Sequence, residues 1–185
     1  LYDCCPTSDG ASAVILVADH LAHQFTDTPI WVKGSGAGSD KLALHDRPSL
    51  TQLRATQLAS QKAYSLANLQ PNQIDLAEVH DCFTIAEVLA TEDLGFAKRG
   101  EGGIFARNGQ GRRNEGDVTV NASGGLKSKG HPLGATGTGQ AVEVFKQLRH
   151  QVEPTRQVRD AEIGLTHNVG GSGATCAVHI FGRER

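Results

Sequence analysis

The stretch IDLAEVHDCFTIAEVLATEDL, residues 74–94, joins a short apolar run to a longer run through a polar corner. The first run predicts a strand over 74–79, and the apolar spacing of the second predicts a helix over 84–94. The corner between them is His80-Asp81-Cys82-Phe83. Strands that alternate with helices are the repeating pattern of α/β proteins, so this stretch favours that fold class.

The corner itself allows two interpretations. In the first it only packs, with Asp81 capping the helix and Cys82 filling space as a small buried hydrophobic residue. In the second it presents Cys82 to a substrate, because a nearby imidazole and the positive end of a helix both favour a thiolate of low pKa. Taken alone, the residues of the corner favour the packing role.

Comparable patterns extend the α/β interpretation to the rest of the chain. The other predicted elements are a strand buried on both faces over 11–17, a short strand and a Gly/Ser loop over 30–40, a helix that begins near Ser49, a long exposed loop over 95–117, a strand over 118–120, a helix over 140–150, and two closing strands over 161–168 and 174–181. We therefore expect a layered α/β domain in which helices cover both faces of a mixed sheet.

The composition excludes several classes of partner. The 185 residues are 38% hydrophobic and carry a net charge of −2 without a basic stripe, so neither nucleic acid nor an anionic membrane surface is an expected partner. No run of 18 apolar residues is present, so the sequence predicts no membrane span. No charged n-region followed by an apolar h-region opens the given sequence, so secretion is not an expectation.

The four cysteines and the absence of Met bear on the setting of the chain. Adjacent Cys4 and Cys5 cannot easily pair with each other, and Cys82 and Cys176 are far apart in sequence, so we expect a reduced, cytoplasmic chain. No CxxC pair occurs, so we expect no metal site. The chain has no Met, and its opening LYDCCPTSDGASAVILVAD is typical of the middle of a fold. We therefore expect a processed product, a fragment or one chain of a split protein.

Two further loops contain candidate functional residues. The segment GGLKSKGHPLGATGTG, residues 124–139, holds His131 between a glycine and a proline, and it matches neither the phosphate-loop nor the GxGxxG pattern. A rigidly held His suits hydrogen bonding to a reacting thiol or oxyanion. The segment HNVGGSG, residues 167–173, is either a tight hairpin turn or a loop whose backbone N–H groups hold an oxyanion.

At these three loops the sequence resembles the thiolase family. GHPLGATG is similar to the family signature GHPxGxSG, with Thr136 in the Ser place. The HDCF corner replaces the more common NEAF and resembles the sterol-carrier-protein-type thiolases and the archaeal and bacterial acetyl-CoA acetyltransferases. The closing HNVGGSGATCAVHIFG also resembles that branch. The resemblance implies a thiolase fold, with residues 1–27 ending the N-terminal half and residues 28–185 forming the C-terminal domain.

The resemblance also implies roles for individual catalytic residues. In thiolases a reactive cysteine of the N-terminal half accepts the acyl group, and that half is not part of this sequence. His131 would activate this cysteine and help to bind a thioester oxygen. His80 would take the place of the Asn of NEAF in the same oxyanion hole, and Cys82 would move the proton at the acetyl Cα. His167 aligns with the cysteine of the usual CxG loop and cannot act as a thiol.

The remaining site residues, including His167, are expected to bind the substrate. Backbone N–H groups of Val169, Gly170 and Gly171 would form a second oxyanion hole. Ser123 and Gly124 would line the site from the glycine-rich loop.

The resemblance implies a reversible Claisen condensation or the thiolytic cleavage of 3-oxoacyl-CoA. A coenzyme A thioester is then the substrate, and no permanently bound cofactor is expected. The expected partners are acyl-CoA, a thiolase N-terminal half or homologous subunit in a dimer or tetramer, and an acyl-CoA-binding accessory protein. Two alternatives stay open: a non-catalytic thiolase-fold partner, and a stand-alone Cys–His hydrolase with Cys82 as nucleophile and His131 as base.

Overall fold

The computed structural model describes residues 2–185 and contains one five-stranded mixed sheet with helices against both faces, as the sequence predicts. The strands are β1 (Trp31–Ser39), β2 (Leu76–Glu78), β3 (Thr119–Val120), β4 (Ile163–Gly170) and β5 (Thr175–Gly182). The α-helices are α1 (Arg54–Ala67), α2 (Thr84–Asp93), α3 (Gly102–Arg107), α4 (Gly125–Lys129) and α5 (Thr136–Leu148). Every helix in residues 2–185 is too short or too polar to span a bilayer.

The strand order explains why distant loops come together. The sheet runs β1-β5-β4-β2-β3, and β1, β5 and β4 form antiparallel pairs. By contrast, β2 is parallel to both β3 and β4. The carboxyl ends of β2, β3 and β4 therefore lie at one edge of the sheet, where α/β proteins place their sites. The HDCF corner and the glycine-rich segment follow β2 and β3, and the segment HNVGGSG covers the end of β4 and the turn after it.

The core lies on both faces of the sheet. On one face, α1 and α2 pack in a cluster that includes Leu165 of β4 and Val178 of β5. On the other face, Val144 and Leu148 of α5 pack against Leu76 of β2. Both apolar faces of the sheet are thus covered by helices, which confirms the layered arrangement.

The predicted Gly/Ser loop after a short first strand is wrong, because β1 continues through all of it. Three glycines of β1 face the carbonyl groups of three buried alanines of α1: Gly34 faces Ala63, Gly36 faces Ala59, and Gly38 faces Ala55. A Cβ atom at Gly36 would lie 2.0 Å from the Ala59 carbonyl oxygen. The glycines therefore mark a close approach of helix to strand, which is the other common meaning of glycine in a strand.

The predicted start of the first helix near Ser49 is also wrong, because α1 begins at Arg54. The Ser49 hydroxyl instead accepts a hydrogen bond from the Thr51 N–H at 3.2 Å and closes a local turn. The N–H of Leu53 donates to the Asp93 carboxylate at 2.7 Å, so a residue of α2 holds the true N-terminus of α1.

Residues 11–17 do not form the predicted buried strand. The segment is extended and exposed, with Ile15 88% and Leu16 76% accessible. Val14 and Val17 are also exposed. No strand within residues 2–185 pairs with it. A run that is apolar on both sides is suited to a sheet interior, and the described part of the chain provides no such place for it.

The other predictions differ from the structure mainly at element boundaries. The long loop over 95–117 contains the short helix α3, whose Phe105 is buried. The glycine-rich segment contains α4 and the first turn of α5. The closing strands form an antiparallel pair around a tight turn, so the predicted hairpin is confirmed.

Candidate active site

His80 and His131 meet at the edge where the parallel strands end. His80 lies two residues after the end of β2, and His131 lies in the loop between α4 and α5. Their ring centroids are 4.7 Å apart, and the ring planes are nearly perpendicular at 87°. His80 is buried and His131 is partly exposed, so the pair has one enclosed and one accessible member. The structure therefore brings together two of the three expected catalytic side chains in direct contact.

Asp81 holds the two loops in this arrangement. Its carboxylate accepts hydrogen bonds from the N–H of Leu126 at 2.7 Å and of Lys127 at 3.3 Å, in the first turn of α4. The expectation that Asp81 caps the following helix α2 is therefore wrong. Gly125 makes room for the carboxylate, since a Cβ there would lie 2.2 Å from Oδ2 of Asp81, and its φ of +64° favours glycine. Asp81 thus attaches the HDCF corner to the loop that carries His131.

Both imidazole rings of the pair are neutral at pH 7. Burial, together with the nearby His131, lowers the pKa of His80 to about 4. Burial also lowers the pKa of His131, although the Asp81 carboxylate acts in the opposite direction. A neutral imidazole carries one N–H donor and one acceptor nitrogen. Each ring can therefore donate to an oxygen or accept a proton from a thiol.

His167 lies behind His80 rather than on the accessible side of the pair. Its ring is fully buried, with Nε2 2.9 Å from the Thr56 hydroxyl of α1. Its Nδ1 accepts a hydrogen bond from the backbone N–H of His80 at 3.4 Å. Burial, with a contribution from His80, lowers the pKa of His167 to about 3, so this ring is also neutral. The ring supports the backbone of His80, and a direct role in substrate binding stays a prediction.

Asn168 is a site residue that the sequence reasoning missed. Its side-chain nitrogen lies 3.2 Å from Nδ1 of His80 and 3.3 Å from Oε1 of Gln140. Because side chains alternate across a strand, Asn168 and His167 point to opposite faces of β4. The alternation of side chains along β4 could have indicated this. Leu165 packs in the core, so His167, two residues further along, lies on the same buried face and Asn168 lies on the opposite one.

Cys82 is partly buried at the corner. Burial, with the nearby Cys5 as the next cause, raises the pKa of Cys82. The raised pKa does not favour the thiolate of the second interpretation of the corner. The N–H of Cys5 donates to the carbonyl of Cys82 at 2.9 Å, and Cys4 and Phe83 form an antiparallel bridge. The N-terminal segment thus covers the corner, a contact that the spacing of the cysteines did not indicate.

Ser123 is engaged in a buried ionic cluster. Its hydroxyl donates to Oε2 of Glu78 at 2.5 Å and accepts from Nζ of Lys129 at 2.7 Å. Burial raises the pKa of the Glu78 carboxyl, and the positive charge of Lys129 opposes this shift. Gly124 is exposed at the start of α4 with a φ of +88°. A substrate-binding role for Ser123 and Gly124 stays a prediction.

The turn after β4 holds the remaining predicted residues. Val169 pairs with Cys176 and Gly170 with Thr175 in the ladder between β4 and β5. Gly171 begins the short 3-10 turn Gly171–Gly173. Their expected role as a second oxyanion hole stays a prediction.

An open cleft reaches the accessible member of the histidine pair. It has a volume of about 550 Å³ and lies between residues 7–12 and the loop from His131 to Ala135. Within residues 2–185, no group of three or more His, Cys, Asp or Glu side chains is placed to hold a metal ion. The side chains that this edge offers for chemistry are the two neutral imidazoles, with the partly buried Cys82 two residues after His80.

Comparison with solved structures shows the fold of thiolase-like α/β proteins. The chain matches the Ltp2–ChsH2(DUF35) aldolase with a TM-score of 0.80 and 24% identity, over 91% of this chain and 43% of that one. It matches the monomeric SCP2-thiolase like protein type 1 of Mycobacterium smegmatis with a TM-score of 0.62 and 16% identity, over 84% of this chain and 29% of that one.

Comparison of sequences identifies the family. Residues 36–183 match the family described as Thiolase C-terminal domain-like, and the chain belongs to that family. Acetyl-CoA acetyltransferase of Methanothermobacter thermautotrophicus is 55% identical over 99% of this chain, and that of Methanocaldococcus jannaschii is 42% identical over all of it. Human sterol carrier protein 2 is 36% identical over 94% of this chain and 32% of its own length. The chain spans about half the length of the two acetyltransferases, 47% and 48%.

Proposed function

We propose that this chain forms the C-terminal half of an acyl-CoA thiolase, an acetyl-CoA acetyltransferase or 3-ketoacyl-CoA thiolase. It would catalyse the Claisen condensation of acyl-CoA or the thiolytic cleavage of 3-oxoacyl-CoA, with a cysteine of an N-terminal half as the acyl acceptor. The observation that carries the proposal is the contact between the neutral rings of His80 and His131, with Cys82 two residues after His80 in the same corner. Identity to proteins named acetyl-CoA acetyltransferase supports it.

The geometry suits the two demands of this reaction. The Cα–H of an acetyl thioester is a weak acid, so its removal needs both a positioned base and a donor for the enolate oxygen. A positioned base contributes about 10²–10⁴-fold and one oxyanion donor roughly 10²–10³-fold. Two neutral imidazoles in contact can divide these tasks, since each carries one donor and one acceptor nitrogen. The raised pKa of Cys82 keeps its thiol protonated at pH 7, so it can donate a proton to Cα in the cleavage direction. In the condensation direction it would first have to pass its own proton to a neutral imidazole before it could take one from Cα.

The exposed apolar segment supports the need for a second half. Four consecutive apolar residues, from Val14 to Val17, are exposed in an extended conformation next to the cleft-lining residues 7–12. An extended apolar segment of this kind is suited to pairing within a sheet that another chain or domain supplies. The name of the Ltp2–ChsH2(DUF35) aldolase joins two components, which is consistent with a thiolase-fold chain that works with a partner. An acyl-CoA-binding accessory protein and a dimer or tetramer remain part of the proposal.

Mixing experiments test the proposal directly. The chain is combined with the separately produced N-terminal half of the Methanothermobacter relative, and acetoacetyl-CoA cleavage and covalent acetyl transfer from labelled acetyl-CoA are measured. We expect acetoacetyl-CoA cleavage and a covalent acetyl adduct only in the mixture, and His131→Ala should abolish the cleavage. Ile15→Asp should weaken assembly, whereas Leu66→Asp, at a position of α1 that is 60% exposed, serves as a matched apolar-to-acidic control outside both the segment and the cleft.

The alternatives make different predictions in the same experiment. Assembly with the N-terminal half but neither adduct nor turnover would favour a non-catalytic partner. Thioester hydrolysis by the chain alone, lost in Cys82→Ser, would favour the stand-alone Cys–His hydrolase. The raised pKa of the Cys82 thiol argues against the hydrolase, because the thiolate is the nucleophilic form.

A further inference from the structure

Gln140 of α5 occupies one fixed orientation behind the histidine pair. Its side chain is almost fully buried, at 1% exposed, and its Nε2 donates to the backbone carbonyl of His167 at 3.1 Å. A carbonyl oxygen can only accept a hydrogen bond, so the amide nitrogen of Gln140 must be the group that faces it. The other end of the amide, Oε1, is then an acceptor that faces Asn168.

This orientation determines that of Asn168 in turn. Oε1 of Gln140 lies 3.3 Å from Nδ2 of Asn168, and an acceptor there requires the amide nitrogen rather than the oxygen of Asn168. The second N–H of the same nitrogen is directed to Nδ1 of His80, 3.2 Å away. Because a donor faces it, Nδ1 of the neutral His80 ring is the unprotonated nitrogen.

We propose that Gln140 and Asn168 are positioning residues that hold His80 in the tautomer with its proton on Nε2. A backbone carbonyl of β4 thus selects, through two amide side chains, which nitrogen of His80 is the donor. The inference rests on the proposed thiolase function only for its consequence, which is that Nε2–H of His80 donates to a thioester or enolate oxygen. Neither amide side chain needs to contact the substrate.

The surroundings of His131 favour the opposite tautomer. The hydroxyl of Thr136 donates to the carbonyl of Pro132 at 3.1 Å, and Nδ1 of His131 lies 2.7 Å from that hydroxyl oxygen. With its hydrogen directed to the carbonyl, the hydroxyl accepts from Nδ1–H of His131, and Nε2 of His131 keeps its lone pair. The two rings then present different groups: His80 an N–H donor and His131 a proton acceptor. Such a division matches one oxyanion donor and one base.

Nitrogen NMR measures the tautomer without any assay of activity. The 185-residue chain is labelled with ¹⁵N in its histidines, and long-range ¹⁵N–¹H correlations are recorded at about pH 8, where the rings are neutral. A His80→Gln variant assigns the His80 signals. We expect a protonated Nε2 and an unprotonated Nδ1 in the wild type. A protonated Nδ1 of His80 in the wild type would overturn the proposal.

Asn168→Asp inverts the hydrogen bond with almost no change in shape. A carboxylate can only accept, so the tautomer of His80 with its proton on Nδ1 should become the major form. Asn72→Asp, an exposed position with the same change of charge, should leave the tautomer unchanged. An Nε2–H tautomer that persists in folded Asn168→Asp would contradict the positioning role. If that variant does not fold, the wild-type spectrum still decides.

Activity in the mixed enzyme provides a separate readout. Asn168→Asp should lower kcat by roughly 10²–10³, the effect of one oxyanion donor, with little change in KM. If the mixture proves inactive, the proposed function fails while the NMR result on His80 still stands. If the mixture is active and Asn168→Asp keeps full kcat, the positioning role fails and the proposed function survives.

Discussion

Replacement of Asp81 by Asn should loosen the attachment between the HDCF corner and the loop of His131. The wild-type carboxylate accepts two backbone N–H groups at 2.7 and 3.3 Å and is 3% exposed. An Asn side chain offers one acceptor oxygen and one NH₂ group. Its oxygen can keep the shorter bond, but its NH₂ then faces the N–H of Lys127, donor against donor. The close packing of Gly125 against the carboxylate prevents the new amide from turning away.

These contacts set the size of the effect. A hydrogen bond to a charged group contributes about 1.5–3 kcal/mol to stability, and one between neutral groups about 1 kcal/mol. A buried donor left without a partner costs about 1–3 kcal/mol. Weakening the short bond and losing the long one should therefore reduce the free energy of unfolding by about 2–3 kcal/mol. The amide of Asn is nearly the same size as the carboxylate, so cavity formation does not add to this figure.

Urea unfolding followed by the fluorescence of Trp31, the single Trp, measures the change. Asp117→Asn is the matched control, because Asp117 is exposed and bonds only to Gln110 at 3.2 Å among the hydrogen bonds described. The control should stay within about 0.5 kcal/mol of the wild type. A change of that same small size in Asp81→Asn, with an unchanged denaturant dependence, would refute the role given to Asp81.

Three further predictions follow from burial and packing. Burial lowers the pKa of His167 to about 3, so the native ring stays neutral while the unfolded chain binds a proton below about pH 6.5. The wild type should therefore lose stability relative to His167→Gln as the pH falls from about 6.5 toward 3, by up to about 1.4 kcal/mol per pH unit. Urea titrations measure the free energy of unfolding at each pH, and an equal pH dependence in both proteins would contradict this. Gly36→Ala places a Cβ 2.0 Å from a carbonyl of α1 and should cost about 3 kcal/mol in unfolding free energy, whereas Gly103→Ala, with open space around it, should cost almost nothing. Cys82 should react with iodoacetamide more slowly than free cysteine at neutral pH, measured on its own peptide by mass spectrometry, because its pKa is raised; faster labelling would show an activated thiol.

Local sequence patterns correctly predicted those helices and strands whose formation depends mainly on residues close in sequence. The strand, corner and helix over residues 74–94 and the closing hairpin formed as expected, because apolar spacing and turn glycines determine both. Part of β1 was predicted as a loop because the reason for its glycines is not local. They allow the close approach of α1, which lies elsewhere in the sequence. In α1 the leucines Leu58 and Leu66 are exposed, whereas the alanines Ala55, Ala59 and Ala63 are buried. Only the close approach of helix to strand explains that choice.

The candidate site was predicted in outline and missed in detail. The resemblance to thiolases implied that His80 and His131 share one oxyanion hole, and the two rings are in contact. Asn168 was overlooked because the family pattern was aligned one residue away, on His167, and a shift of one residue changes the face of a strand. The high pKa of Cys82 could not be read from its neighbours in sequence, because Cys5 and the burial of the corner arise only from the folded chain.

The exposed segment from Val14 to Val17, which pairs with no strand of the sheet, also affects how stable the chain would be in a cell against aggregation and degradation. An extended run of apolar residues with free backbone groups is a template for self-association as much as for correct pairing. A surplus of the chain over its partner half would be expected to aggregate or to be degraded. We therefore expect balanced synthesis of the two halves to matter, and expression of the chain alone should yield far less protein than co-expression with an N-terminal half.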